Sequence, residues 1–175
     1  MKEMVAETER LILRRYESRD FDDLYEYLSD PEVVEFEPYK AQTAEETREN
    51  LLWRISSEAM IAVELKENGK MIGNVYLGDG DFGSKELGYV FNKKFWHKGY
   101  AKEACEAVIE KCFRDGIHRI IAYCDQKNPA SFRLLERLGF RREGDFRQNV
   151  YFWKDENGNP IWKDSFEYAL LNGEK

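Results

Sequence analysis

The sequence predicts an α+β protein: one domain over residues 1–175, with about four helices on a mixed central sheet of about seven strands. Three observations lead there. Two apolar runs, Met60–Leu65 and 71–77, flank Glu67-Asn68-Gly69, a hairpin signal because Asn and Gly accept the positive φ of a tight turn. The strand Lys85–Phe91 is followed by an amphipathic helix and then by a strand over 119–124, and a helix is the usual crossover between parallel neighbours. The tail holds two more strands, roughly 149–153 and 161–171, turned about Asn157-Gly158. Parallel and antiparallel pairing must then share one sheet.

Each element has its own signal. Residues 10–16, Arg-Leu-Ile-Leu-Arg-Arg-Tyr, form a short first strand. Ser18 and Asp20 can cap a helix carrying Phe21, Leu24, Tyr25 and Leu28, which ends before Pro31. Residues 33–40 are irregular. Thr43-Ala-Glu-Glu46 is a capping box opening a second helix through Leu51, Leu52 and Ile55. Residues 78–84 are a loop. The third helix, opening near Ala101, puts Ala101, Ala104, Cys105, Val108, Cys112 and Phe113 on one face, with Lys102, Glu103, Glu106, Glu110 and Lys111 largely opposite. Gly116 ends it. Asn128 caps a fourth helix with Pro129 at its first position, and Gly139 closes that one.

Composition narrows the function. With 42% apolar and 14% aromatic residues, the chain can bury a substantial core. No apolar run approaches the roughly 20 residues that span a membrane, and the N-terminus lacks the apolar centre of a secretory signal. The expected location is the cytoplasm. A net charge of −7 opposes broad nucleic-acid binding, which needs an extended basic surface, and suits a cationic substrate such as an amine. Cys105, Cys112 and Cys124 sit at structural positions, and neither they nor His97 and His118 have metal-ligand spacing, so no metal is expected.

The most informative stretch runs from Lys85 to Ala104: a strand, a basic turn with Gly99, and a helix start. Unpaired N–H groups and the positive end of the helix dipole make such a start a phosphate site, and Gly99 admits close backbone approach. Lys93, Lys94, His97, Lys98 and Lys102 surround the turn. Two readings stay open at this point: a cradle for a polyanion, or a plain strand–helix connection beside solvated lysines.

Four marks in order resemble the GNAT superfamily of acetyl-CoA-dependent N-acetyltransferases. They are Trp96-His-Lys-Gly-Tyr-Ala-Lys-Glu-Ala104, Asn128-Pro-Ala-Ser131, Leu138-Gly-Phe140, and Glu143-Gly144. The tail, with Trp162, Asp164 and Tyr168-Ala-Leu-Leu171, looks most like the Rim-type branch, which includes acetyltransferases of ribosomal-protein N-termini. The resemblance implies a sheet that splays at the acetyl-CoA site. It assigns the coenzyme pyrophosphate to His97, Lys98, Gly99, Tyr100, Ala101 and Lys102, and the pantetheine arm to the backbone of Tyr89, Val90 and Phe91. Asn128 would contact that arm, with Ser131 near the sulfur. Trp96 stands where the family signature has Gln or Arg, a departure expected to affect packing more than binding.

Direct transfer needs a neutral amine, a donor for the oxyanion and a proton for the departing sulfur, and no nucleophilic side chain. Val90 N–H is the expected oxyanion donor. Glu86 is the candidate general base, or else a solvated strand carboxylate; Glu35, Glu37 and Asp79 are further acids near the expected amine pocket. The family's tyrosine acid is replaced by Leu135, so Ser131 is the expected proton donor, or else a helix-start hydroxyl bonded to nearby backbone. Phe36, Tyr39, Trp53, Tyr151 and Trp153 are the aromatic candidates for an acceptor slot. The acceptor is expected to be a primary amine, first a protein or peptide N-terminus, alternatively an aminoglycoside or a polyamine. A non-catalytic acyl-CoA-binding domain is the alternative of a different class. Monomer and homodimer both fit.

Overall fold

The computed structural model describes residues 3–174. Eight strands form one sheet: β1 (Met4–Glu7), β2 (Leu11–Arg14), β3 (Met60–Leu65), β4 (Met71–Asp79), β5 (Lys85–Phe91), β6 (Arg119–Asp125), β7 (Arg141–Lys154) and β8 (Pro160–Leu171). Their order across the sheet is β1-β2-β3-β4-β5-β6-β8-β7, antiparallel everywhere except between β5 and β6. The helices are α1 (Phe21–Leu28), α2 (Ala44–Ser56), α3 (Tyr100–Arg114) and α4 (Pro129–Arg137).

Strand alternation divides the interior in two. Ile61, Val63, Ile72, Leu87 and Phe91 point to one face, where α3 and α4 bring Cys105, Val108, Ile109 and Leu135. Met60, Ala62, Met71 and Val90 point to the other, beneath α1 and α2, with Leu24, Tyr27 and Leu51. Cys105, Cys112 and Cys124 are buried and unpaired.

Three elements depart from the sequence reading. β1 was not foreseen, raising the strand number from about seven to eight. It is an edge strand held by backbone bonds to β2, with no inward apolar stripe to announce it. β7 begins at Arg141 rather than near 149, because its first half is polar and exposed on an edge. In α2 the three apolar residues divide: Leu51 points inward with Thr47 and Arg54, while Leu52 is 69% exposed. The capping box fixes where the helix begins. Glu46 N–H donates to Thr43 Oγ1 at 3.2 Å, and Thr43 N–H donates to Glu46 Oε2 at 2.7 Å.

The start of α1 is tied to the sheet by a buried ion cluster. Arg14 on β2 lies against Asp20 (2.7 Å) and Glu64 of β3 (2.7 Å), and Arg19 reaches the same Glu64 oxygen at 2.8 Å. Removing one partner of a buried pair strands the other. Asp20→Ala is therefore expected to cost about 3 kcal/mol in urea unfolding, seen as a lower midpoint at unchanged slope. A loss under about 1 kcal/mol would mean that Glu64 alone is enough.

Candidate active site

β5 leaves β6 early. Lys85 pairs with Ile120 and Glu86 with Ile121, and among the described residues the pairing stops there. Each strand then stays with its outer neighbour: β5 on β4 as far as Phe91/Gly73, and β6 on β8 as far as Asp125/Ser165. The wedge between 87–91 and 122–125 widens into a cleft of about 1260 Å³, reached by the start of α3, the start of α4 and the loop 33–40. Along both lips, peptide groups that a neighbouring strand would have bonded are left for another partner. An extended ligand carrying its own amides fits such a wedge.

At the α3 end, His97 (φ 60°) and Gly99 (φ 81°) both take the left-handed conformation. A Cβ on Gly99 would lie 3.3 Å from Arg10 Nη2. The Trp96 indole donates to the Phe91 carbonyl at 2.8 Å, bracing the turn against the end of β5. Asn92 accepts from Lys94 N–H at 3.0 Å, but its buried Nδ2 has no partner among the described residues. The lysine cluster is less available than the sequence suggests. Lys93 is drawn to Asp30 (2.8 Å) and Glu32 (3.2 Å), Lys94 to Glu26, and Lys102 to Glu106 (2.6 Å). What remains is His97, Lys98 and the N–H groups opening α3. Arg10 joins them: it pairs with Glu103 at 2.6 Å, donates to the Lys98 carbonyl at 3.0 Å and lies 4.3 Å over the Tyr100 ring.

Across the sheet, the floor of the cleft under α2 is polar. Arg54, 3% exposed, donates through Nη1 to the Tyr16 hydroxyl (2.9 Å) and to Asn74 Oδ1 (3.0 Å), and through Nε to Asn50. Tyr27 donates to the same Asn74 oxygen at 2.8 Å. Glu37, on the loop over this floor, lines the cleft, and burial pushes its carboxyl up to about 7 against the opposing pull of Arg54. Burial also raises Glu86, which shares a strand face with Gly88 and Val90.

On the opposite face the Tyr89 hydroxyl lies 3.0 Å from Ser131 Oγ and donates to the Ser131 carbonyl at 3.1 Å. Asn128 caps α4 by accepting from Ser131 N–H at 3.3 Å. Leu135 is fully buried in the core. Cys124 lines the cleft, but burial pushes its thiol up to about 11, so it stays protonated at neutral pH.

Residues 10–141 match the family model described as acetyltransferase (GNAT) domain. The chain is 34% identical to the uncharacterized N-acetyltransferase YnaD of Bacillus subtilis, over 95% of this chain and 96% of that one. The chain belongs to the GNAT acetyltransferase family. A crystal structure of a GNAT-family acetyltransferase from Bacillus anthracis is 33% identical, covering 98% of this chain and 99% of that one at a TM-score of 0.86. The ribosomal-protein-S5-alanine acetyltransferase of Vibrio fischeri, 24% identical over 95% of this chain and 96% of its own, shares the fold at a TM-score of 0.77.

This GNAT protein is accordingly an acetyl-CoA-dependent acetyltransferase, and its residues fit the coenzyme. The left-handed turn leaves room for a phosphate at the α3 amides, the Asn92 amide lacks a partner, and the wedge offers unpaired peptide edges to a pantetheine arm. Among the described residues no group of His, Cys, Asp and Glu could hold a metal, and no helix is long and apolar enough to cross a membrane.

The candidate residues largely converge. Glu86, Tyr89, Val90, Phe91, His97, Gly99, Tyr100, Ala101, Lys102, Asn128 and Ser131 all line the cleft, as do Glu35, Phe36, Glu37, Tyr39 and Trp53. Lys98 meets the turn through its carbonyl, while its ammonium lies 5.5 Å over the Phe95 ring. The Phe91 carbonyl is taken by Trp96. Tyr151 is a correction. Strand alternation turns Val150 and Phe152 to the cleft, and Tyr151 stacks edge-on against Trp162 at 5.2 Å, with Trp153 under Lys40. Asp79 is tied to Lys85 outside the cleft. Sequence reasoning missed Arg54, Asn74, Arg10 and the Tyr89 side chain.

Gly99→Val tests the turn. A β-branched residue at φ 81° carries left-handed strain of about 1–2 kcal/mol. Acetyl-CoA affinity by calorimetry is expected to fall about tenfold with the circular dichroism spectrum unchanged. Unaltered affinity would take the phosphate away from this turn.

Proposed function

We propose that this enzyme transfers acetyl from acetyl-CoA directly to the α-amine of its acceptor, with Glu37 as base and the Ser131–Tyr89 hydroxyl pair as proton donor. The observation that carries the reading is the wedge: an acid–base set stands on its two sides, Glu37 under α2 and Ser131 with Tyr89 against α4. Bound acetyl-CoA supplies the thioester. The residues around it do the rest. Glu37 takes the proton that the acceptor ammonium must lose before a lone pair is available. The register with β4 turns the Val90 N–H to Asn74, so the expected donor moves by one residue: an N–H of the open edge, that of Tyr89 or Phe91, donates to the carbonyl oxygen as charge builds there. Once the C–N bond forms, the nitrogen gives its second proton to solvent; as the C–S bond breaks, the Ser131 hydroxyl gives a proton to sulfur and recovers one from solvent through Tyr89, so the proton taken by Glu37 is the one released overall.

Glu37 is preferred to Glu86 on two grounds. Its carboxyl is raised to about 7, where a base is both deprotonated and strong at physiological pH. Glu86 belongs to the last paired position, four residues from Val90, or roughly 13 Å along a strand, so it reaches the amine only through water.

An α-amine acceptor accords with the Rim-type resemblance, whose first implication is a protein or peptide N-terminus. A polyamine or an aminoglycoside fits less well, because the buried Arg54 cation lines the same floor and repels a second positive charge. A non-catalytic acyl-CoA-binding domain would have no use for a carboxyl poised near 7 opposite a paired hydroxyl.

Because Glu37 acts deprotonated, kcat/KM is expected to rise with pH through about 7. Glu37→Gln should remove that limb and lower the rate about a hundredfold at pH 8, whereas Glu86→Gln keeps it. A limb that survives in Glu37→Gln and disappears in Glu86→Gln would return the base role to Glu86. Separately, Ser131→Ala and Tyr89→Phe are each expected to lower kcat about tenfold with acetyl-CoA affinity unchanged, and the double variant to lose little more than either. Full additivity of the two would show that the hydroxyls do not act as a pair.

A further inference from the structure

Acetyl transfer to a bare amine makes no use of Arg54. This fold elsewhere buries a guanidinium in the ordinary way: Arg14 has Asp20 and Glu64 each at 2.7 Å. Arg54 is also buried, at 3% exposure, yet its hydrogen-bond partners are the neutral oxygens of Tyr16, Asn74, Asn50 and Tyr39. Among the described residues no carboxylate forms an ion pair with it. Glu37 feels its charge but stays outside that distance. A buried cation is costly without an anion, and one that lines a substrate cleft is placed to receive an anion from the substrate.

The position is close to the reaction. Asn74, which holds Arg54, is the cross-strand partner of Val90, and both side chains belong to the α2 face of the sheet. Opposed residues of an antiparallel pair lie about 5 Å apart, which puts the guanidinium on the order of 10 Å from the Val90 backbone. Nε and Nη1 are engaged by Asn50, Tyr16 and Asn74, and the Tyr39 hydroxyl is hydrogen-bonded to the same guanidinium, so an incoming anion meets the guanidinium edge beside the O–H of Tyr39.

Resting on transfer to an α-amine, we infer that the acceptor carries a carboxylate a few bonds from its reacting amine, and that Arg54 with Tyr39 binds it. A free α-amino acid presents that pair of groups, and so does an N-terminal Asp or Glu of a peptide. The floor is matched to such a zwitterion, with Arg54 for the carboxylate and Glu37 for the ammonium. Planar, two-pronged recognition of a carboxylate is what a guanidinium does and an ammonium does not.

The test compares acetyl transfer by the wild-type enzyme to α-amino acids and to their amides, and to peptides beginning with Asp or Glu and with Asn or Gln. A carboxylate-bearing acceptor is expected to exceed its amide about tenfold or more in kcat/KM, mostly through KM. Arg54→Lys should shrink that ratio and Arg54→Gln should bring it to unity, with thermal unfolding confirming that both variants fold. A response confined to the amino-acid pairs assigns a small acceptor; one confined to the peptides assigns an acidic N-terminus. Equal rates for acid and amide, or a preference for amides or polyamines, would overturn the inference while leaving the transfer reaction standing. Absence of transfer to every amine would count against the proposed reaction instead. Calorimetry of the same acids on the coenzyme-A-bound enzyme then decides Arg54: binding abolished by Arg54→Gln supports the inference, and no binding overturns it.

Discussion

The site depends on where β5 stops pairing with β6. Beyond Glu86 and Ile121 each strand has to satisfy one backbone edge without its neighbour, and each stays straight only because the other edge is bonded along its length, β5 to β4 and β6 to β8. The wedge is therefore rigid and open at once. It exposes peptide groups that would be expensive to bury unpaired, and this gives an extended ligand its binding edge. Everything else at the site is arranged around that opening: α3 begins at its mouth, α4 begins on one side, and the loop 33–40 closes the other.

The two buried arginines show how the same residue type serves two purposes. Arg14 is neutralised by Asp20 and Glu64 and fixes the start of α1 to the sheet. Arg54 is surrounded by hydroxyl and amide oxygens, which hold its orientation without cancelling its charge. Its field reaches Glu37 and partly offsets the burial that raises that carboxyl. The local electrostatics of the cleft floor thus run opposite to the acidic balance of the whole chain, and net charge carries no information about them.

Much of the fold was legible because it is written in periodicity and punctuation. The hairpin at Gly69, the capping box at Thr43 and the Asn128-Pro129 start all stand where their residues place them. The edge strands were not, since β1 and the first half of β7 are held by backbone pairing that side chains do not record. The coenzyme side of the site was legible for the same reason as the fold: a turn motif has fixed spacing. The acceptor side was not. Arg54 occupies an inward position of α2 that a simple apolar pattern would give to a hydrophobe, while Leu52 faces out. By spacing, residues 51, 52 and 55 share one helix face, so apolar periodicity alone gave no sign that Leu52 faces out and Arg54 in.

In the proposed reaction Tyr89 stands in for the tyrosine acid that the family resemblance puts at position 135, where this chain has leucine. Leu135 is fully enclosed by core side chains, so no hydroxyl at that position has a route to the cleft in this packing. A phenol arrives instead from β5, one residue from Val90, and reaches across the wedge to Ser131 on the first turn of α4. The proposed proton donor and the proposed oxyanion-binding backbone then share β5, so one element sets both geometries. The proposed base, Glu37, lies on the other face of the sheet, with the wedge between the two. In the proposed reaction, proton removal and proton delivery are thereby kept on opposite faces, and neither group neutralises the other before the acceptor arrives.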